Sequence, residues 1–275
     1  MPELPEVEVS RLGLVPRLTA QRIAGAVFRV PKLRHDLPPA LATRLQGLRV
    51  DAILRRGKYL LFDCESNAGG GWLILHLGMS GSLRLATPGT AIEKHDHVDL
   101  IFPEQILRLR DPRRFGALVW QEGPSVNEHP LLCRLGVEPL EPGFDGEWLY
   151  AALQRRHAPV KPVLMDSHLI VGIGNIYAAE SLFRAGIAPQ RAADRIGRAR
   201  CQLLARSIRE TLSDAIAAGG SSVHDYIHTD GGAGCFQLSC AVYDRCGDAC
   251  HVCGTPIRML RQAGRSSFYC PSCQH

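Results

Sequence analysis

No stretch of this 275-residue chain approaches the roughly 20 consecutive apolar residues that a membrane-spanning helix needs, so a helical membrane protein is excluded. Lysine is scarce: four lysines stand against 28 arginines, which makes an isolated lysine such as Lys58 conspicuous. Acidic residues are missing after Asp248, while Arg258, Arg261 and Arg265 follow, so the last segment is cationic and suits an anionic partner. There is no internal repeat and no heptad pattern, which excludes solenoid and coiled-coil architectures. A basic, apolar leader is also missing from the N-terminus, and the expectation is a cytoplasmic protein. What is present is ordinary for a globular chain: 45% apolar residues, 21% charged and a net charge of +5. A second arginine group, Arg191, Arg195, Arg198, Arg200, Arg206 and Arg209, fits a solvated helix face as well as it fits a ligand.

Cysteine is not scarce. Ten in a cytoplasmic chain point to metal binding or catalysis rather than a disulfide framework, and seven fall from Cys235 to Cys273. Cys250-x-x-Cys253 and Cys270-x-x-Cys273 form two knuckles at a spacing that can set four thiolates tetrahedrally around one structural Zn²⁺ per chain. The segment between them, "GTPIRMLRQAGRSSFY", reads as two strands joined at "QAGR", with Arg265 at the tip. Thirty residues cannot build a core, so the metal is expected to supply most of the folding energy there. Cys246 is a competing ligand at a less usual spacing. Cys64, Cys133, Cys201, Cys235 and Cys240 carry no assigned role.

Hydrophobic periodicity divides the rest. Residues 1–18 read as a helix with acids in its first turns. From about 23 to 122, short runs rich in Val, Ile, Leu and Phe are punctuated by glycine and proline, as in an antiparallel sandwich. From about 146 to 218 the period becomes helical. Residues 219–239 form a long glycine-rich loop, a length uncommon without a function.

Several short motifs carry chemistry. "MPELPEVEVS" places Pro2 and Glu3 at the very start. Either the proline and acids merely open a helix, or loss of Met1 frees a secondary amine beside a carboxyl group. "LIVGIGNIYAAESLFRAG" places Asn175 at a helix N-cap and Gly186 at the helix end, and its glycines let a phosphate approach unpaired amides. An ordinary well-capped helix explains it equally well. "RRGKYLLF" puts Lys58 at the head of a strand, and "HLGMSGSL" puts His76 and Met79 around a glycine turn. "RLRDPRRFG" puts Arg113 and Phe115 in a tight turn suited to minor-groove entry. In "EKHDHVDL", strand alternation sends neighbouring His95, Asp96, His97 and Asp99 to opposite faces, against a shared metal site.

Together these segments resemble the bacterial formamidopyrimidine-DNA glycosylase family. The resemblance runs through "PELPEVE" at 2–8, "GKYLL" at 57–61, "HLGMSGSLR" at 76–84, "KHDHVDL" at 94–100, "DPRRFG" at 111–116, "VGIGNIYAAESLFRAGI" at 171–187 and the four-cysteine finger. It implies an α+β multidomain chain: an N-terminal β-sandwich with an opening helix, a helix–two-turns–helix domain and a C-terminal zinc-finger β-hairpin. The corresponding boundaries are 1–132, 133–239 and 240–275, with DNA in the cleft between.

By the same resemblance, Pro2 is the nucleophile and Glu3 the general acid at the sugar-ring oxygen. Lys58, His76, Asn175 and Arg265 match the family's phosphate contacts, with Lys58 and Arg265 also in the catalytic set. Met79, Arg113 and Phe115 match the residues that fill the gap left by an extruded base, Arg113 facing the widowed cytosine. The loop at 219–238 corresponds to the flap over the flipped base, and it departs from relatives at Gly234-Cys235-Phe236, where an aromatic commonly stands in the middle. The implied activity is a bifunctional glycosylase/AP lyase for oxidised purines. It acts as a monomer on double-stranded DNA bearing oxidised bases or abasic sites, in association with a bacterial nucleoid. The endonuclease VIII group, directed at oxidised pyrimidines, typically has Gly where Leu4 stands and lacks "DPRRFG". A non-catalytic DNA-binding protein is the alternative from another class, and it would have no need of Pro2, Glu3 or Lys58.

Overall fold

The computed structural model describes residues 2–66, 69–220 and 240–275. The glycine-rich loop from 221 onward, with Cys235, lies outside the described residues. The chain divides into two compact units: residues 1–133 with 218–237, and residues 134–217 with 238–275.

The first unit opens with α1 (Leu4–Leu18), followed by β1 (Gly25–Phe28) and α2 (Pro39–Leu45). Seven more strands follow: β2 (Arg49–Arg56), β3 (Tyr59–Ser66), β4 (Gly69–His76), β5 (Ser82–Ala86), β6 (Asp96–Ile101), β7 (Ile106–Arg110) and β8 (Ala117–Glu122). They form two antiparallel four-stranded sheets, ordered β1-β6-β7-β5 and β2-β3-β4-β8. Alternation drives their packing. Ile53, Leu60, Phe62, Leu73 and Leu75 of one sheet and Val98, Leu100, Leu107 and Leu109 of the other turn inward. Leu14 and Leu18 of α1 join the same core. This is the sandwich with an opening helix that the sequence led us to expect.

Strict alternation fails in one informative place. The register of β6 against β7 shifts between Asp96 and Val98, a bulge that brings Asp96 and Asp99, both 2% exposed, toward the same arginine. Arg108 is fully buried; its Nε donates to Asp99 Oδ1 at 2.8 Å, and its Nη1 donates to the Ala91 carbonyl at 3.0 Å. Asp96 accepts from Arg84 at 2.6 Å, and Arg29 makes a second ion pair with Asp99. The acids of "KHDHVDL" therefore neutralise the buried Arg108 and the half-buried Arg84 and Arg29, and they are not among the metal-ligating groups of the described residues.

The second unit holds α3 (Gly146–Leu153), α4 (Val160–Leu164), α5 (Asn175–Arg184) and α6 (Arg198–Ala217), then the hairpin β9 (Arg258–Gln262) and β10 (Arg265–Tyr269). Along α6, Cys201, Leu204, Ala205, Ile208, Leu212 and Ala215 repeat at helical spacing and are buried, as the periodicity requires. The arginine group splits between anchoring and exposure. Arg198 pairs with Glu147, Arg200 donates to the His275 carbonyl at 3.0 Å, and Arg209 donates to the Glu141 carbonyl at 2.6 Å.

The final module has more than metal to hold it. Val242, Cys250, Ile257 and Cys270 pack with Ala179 of α5 into a small apolar cluster. Glu180, 3% exposed, accepts the N–H groups of Ala241, Val242 and Tyr243 at 2.8, 3.0 and 2.8 Å. One buried carboxylate thus ties the entry of the module to the helix beneath it.

Candidate active site

At the head of α1 the opening stretch does structural duty. Glu3 takes extended backbone angles as N-cap, proline occupies the first turn, and Glu3 and Glu6 form a capping box in which Glu6 Oε2 accepts the Glu3 N–H at 2.7 Å. Pro2 is buried, and Glu3 and Glu6 are 2% and 1% exposed. A carboxyl group removed from water beside the chain's first imino acid is an uncommon investment for a helix cap. Gly220 passes close by: at φ +81°, a Cβ there would lie 3.2 Å from Glu6 Oε1. A side chain at 220 would crowd the carboxylate that holds Glu3 in place.

Lys58 sits in the turn between β2 and β3, directly before Tyr59. Tyr59 pairs across β3 and β4 with His76, their rings 4.7 Å apart. That pairing brings the Lys58 charge to His76. Burial first, then Lys58 and Arg34, push the His76 imidazole down to about 4, so it is neutral near pH 7. Its Nδ1 accepts the Gly78 N–H at 2.9 Å, which leaves the proton on Nε2 as a neutral donor. The sequence shows only a histidine at a glycine turn; the fold fixes its tautomer and its charge.

Met79 and Phe115 are 41% and 45% exposed, a costly display of apolar surface on two adjacent turns. The Arg113 guanidinium lies 4.7 Å from the centre of the Phe115 ring. Arg114, between them, holds φ +54°, a conformation that non-glycine residues adopt only where the surroundings impose it.

In the second unit, Asn175 departs from expectation. Gly174 is the N-cap of α5 and Asn175 the first helical residue, so its side chain is not the cap. Instead Asn175 Oδ1 accepts from Lys161 Nζ at 2.7 Å. Lys161, 1% exposed, also donates to the Ser266 carbonyl and to Ser267 Oγ, both at 2.9 Å. The reason is geometric: an amide one residue into the helix points away from its open amides and toward α4. One buried cation thereby joins Asn175 to the strand that begins with Arg265. Gly186 ends α5 at φ +65°, as read from the sequence. Sequence reasoning missed Lys161, although the rarity of lysine was the available signal.

Ala263 and Gly264, both at positive φ, make the two-residue turn that presents Arg265. Below it, one thiolate from each of Cys250, Cys253, Cys270 and Cys273 lies within 4.8 Å of every other. The Cys253–Cys270 and Cys250–Cys273 sulfurs are 3.4 and 3.9 Å apart, close to the roughly 3.8 Å edge of a tetrahedron with 2.3 Å zinc–sulfur bonds. The four cysteines fit one structural Zn²⁺. Cys246 is exposed and stands apart from the group.

A sandwich whose opening helix buries an imino acid beside a carboxyl group, joined in one chain to a helical unit with a four-cysteine hairpin, defines the class of zinc-finger DNA glycosylases. Family models agree in order along the chain. Residues 1–118 match the formamidopyrimidine-DNA glycosylase N-terminal domain, 135–226 its H2TH domain, and 247–275 the zinc finger found in FPG and IleRS. The formamidopyrimidine-DNA glycosylase of Dechloromonas aromatica is 62% identical over 277 residues, and that of Ralstonia nicotianae 52% over 287, with both chains fully covered in each case. Among solved structures, Lactococcus lactis FPG in complex with Fapy-dG DNA superposes with a TM-score of 0.92 at 35% identity, covering all of both chains. Thermus thermophilus MutM (FPG) superposes at 0.88 with 38% identity, covering 99% of this chain and 98% of that one. The chain belongs to the formamidopyrimidine-DNA glycosylase family.

Proposed function

We propose that this protein is a bifunctional DNA glycosylase and AP lyase of base-excision repair that removes oxidised purines from duplex DNA. What carries the reading is the buried Pro2–Glu3 pair at the head of α1, in a chain of this family. The Lactococcus relative is described on DNA containing Fapy-dG and on abasic DNA, which supplies the substrate class. The same relative is also described with an oxidised pyrimidine in DNA, so the purine preference rests on Leu4 and "DPRRFG".

Once Met1 is removed, Pro2 carries a secondary amine whose pKa, about 8 for an α-amino group, leaves a useful neutral fraction at pH 7. Its lone pair attacks the sugar C1′, the electrons of the C1′–N bond leave with the base, and the proton that the proline nitrogen loses neutralises the departing base. Glu3 delivers a proton to the ring oxygen as the ring opens, and the product is an iminium ion on Pro2. That cation accepts electrons from the sugar, which expels the 3′ phosphate and then the 5′ phosphate. Hydrolysis of the remaining adduct frees the amine. Lys58, neutral His76, Asn175 and Arg265 hold the phosphates around the lesion. Met79, Arg113 and Phe115 occupy the gap, Arg113 against the widowed cytosine. Zn²⁺ supplies fold to the Arg265 hairpin and takes no part in a bond change. The working division of the chain is 1–132, 133–239 and 240–275, and the working location is the bacterial nucleoid.

Borohydride reduction during reaction with a duplex holding one 8-oxoguanine opposite cytosine should give a covalent adduct. Peptide mass mapping should place it on Pro2. Binding without an adduct, in protein whose N-terminus is shown to be free proline, would leave a DNA-binding protein and remove the lyase. Arg265→Ala should weaken duplex binding and lower the slope of log K against log salt by about one. An unchanged slope would take Arg265 out of the phosphate contacts.

A further inference from the structure

Met79 and the Arg113–Phe115 pair come to the surface on two separate connections. Residues 77–81 cross from β4 of one sheet to β5 of the other, and residues 111–116 cross back from β7 to β8. The two crossings lie against each other. A Cβ on Gly78 would stand 2.4 Å from the Phe115 carbonyl carbon, and one on Gly116 would stand 2.9 Å from both Asp111 Oδ2 and the His76 carbonyl oxygen. Glycine lets the backbones touch, but contact alone does not fix their register.

Ser80 and Asp111 do. Ser80 Oγ donates to Asp111 Oδ1 at 2.9 Å and accepts the Arg113 N–H at 3.2 Å. The other carboxylate oxygen accepts the Gly116 N–H at 2.7 Å, and the Asp111 carbonyl accepts the Arg114 N–H at 3.1 Å. Ser80 is 3% exposed and Asp111 fully buried, so water cannot readily replace these partners. The hydroxyl uses its one donor on one turn while accepting from the residue that carries the Arg113 side chain. Because Arg113 stacks on Phe115, a shift of the turn carries both.

We propose that Ser80 and Asp111 are positioning residues that lock the Met79 turn and the Arg113–Phe115 turn into one wedge, and that this lock sets opposite-base discrimination. The inference rests on the reading that Arg113 faces the base opposite the lesion. A guanidinium reading a base edge tolerates little angular error, so loosening its backbone anchor weakens the choice of partner before it weakens the chemistry.

The test is the ratio of kcat/KM for 8-oxoguanine opposite cytosine to that opposite adenine. This ratio is independent of how much of a preparation is folded and active. Ser80→Ala should lower it about tenfold or more, Ser80→Thr should keep it within about twofold, and Asp111→Asn, whose single amide oxygen can accept from Ser80 Oγ or from the Gly116 N–H but not from both, should lower it as Ser80→Ala does. Equal losses on both substrates with an unchanged ratio would reduce the pair to a stability feature and overturn the proposal. Arg113→Ala is the control. If it collapses the ratio while Ser80→Ala does not, the lock is wrong; if Arg113→Ala itself leaves the ratio intact, the reading of Arg113 fails instead.

Discussion

Glu3→Gln is expected to bind lesion DNA with near-normal affinity and to release base about 10²- to 10⁴-fold more slowly, the usual worth of a positioned general acid. The substitution keeps the size and the hydrogen-bonding oxygen of the side chain, so the capping box with Glu6 survives in part. A weakened N-cap costs about 1 kcal/mol of stability, which a thermal melt reads directly and which leaves most of the protein folded. What the amide cannot do is give a proton to the sugar oxygen. Single-turnover excision of 8-oxoguanine, with binding measured alongside, separates the two effects. Near-normal excision would remove Glu3 from the mechanism. A matched loss of binding and excision would reduce Glu3 to its structural part at the head of α1.

Removal of zinc should unfold the last module and abolish tight binding of duplex, while the sandwich persists. Structural zinc in comparable peptides contributes about 10–16 kcal/mol at neutral pH, far above what the few apolar side chains around Val242 and Ile257 supply. Glu180 and that small cluster should hold the entry near residues 241–243, so the loss is expected to concentrate between Cys250 and Cys273. Native protein should carry one zinc per chain by elemental analysis. After chelation, hydrogen exchange should rise across 250–273 and stay low in β2, β3 and β4. Cys273→Ser should reproduce the result without chelator. Metal-free protein that keeps an ordered hairpin and its affinity for DNA would overturn the assignment.

The sequence by itself determined whatever depends on neighbours in the chain. The two Cys-x-x-Cys knuckles, the strand–"QAGR"–strand hairpin, the end of α5 at Gly186 and the run of α6 are local patterns. Period, capping residue and ligand spacing act within a few residues, and so they can be read before folding. The family's motifs were legible for the same reason: each is a short contiguous string. The tertiary structure decided what those strings do to one another. Asn175 looked like a helix cap, and only the approach of α4 turned it toward a buried Lys161, which reaches a strand 105 residues further on. Pairing of β3 with β4 brought the Lys58 charge to His76, and with burial made that histidine a neutral donor. A bulge, invisible in an alternating string, let Asp96 and Asp99 share Arg108. Ser80 and Asp111, 31 residues apart, meet because two sheet crossings lie side by side. These contacts span from nine to 105 residues of chain, and which of them close is settled by the common burial of the core rather than by the residues that meet there.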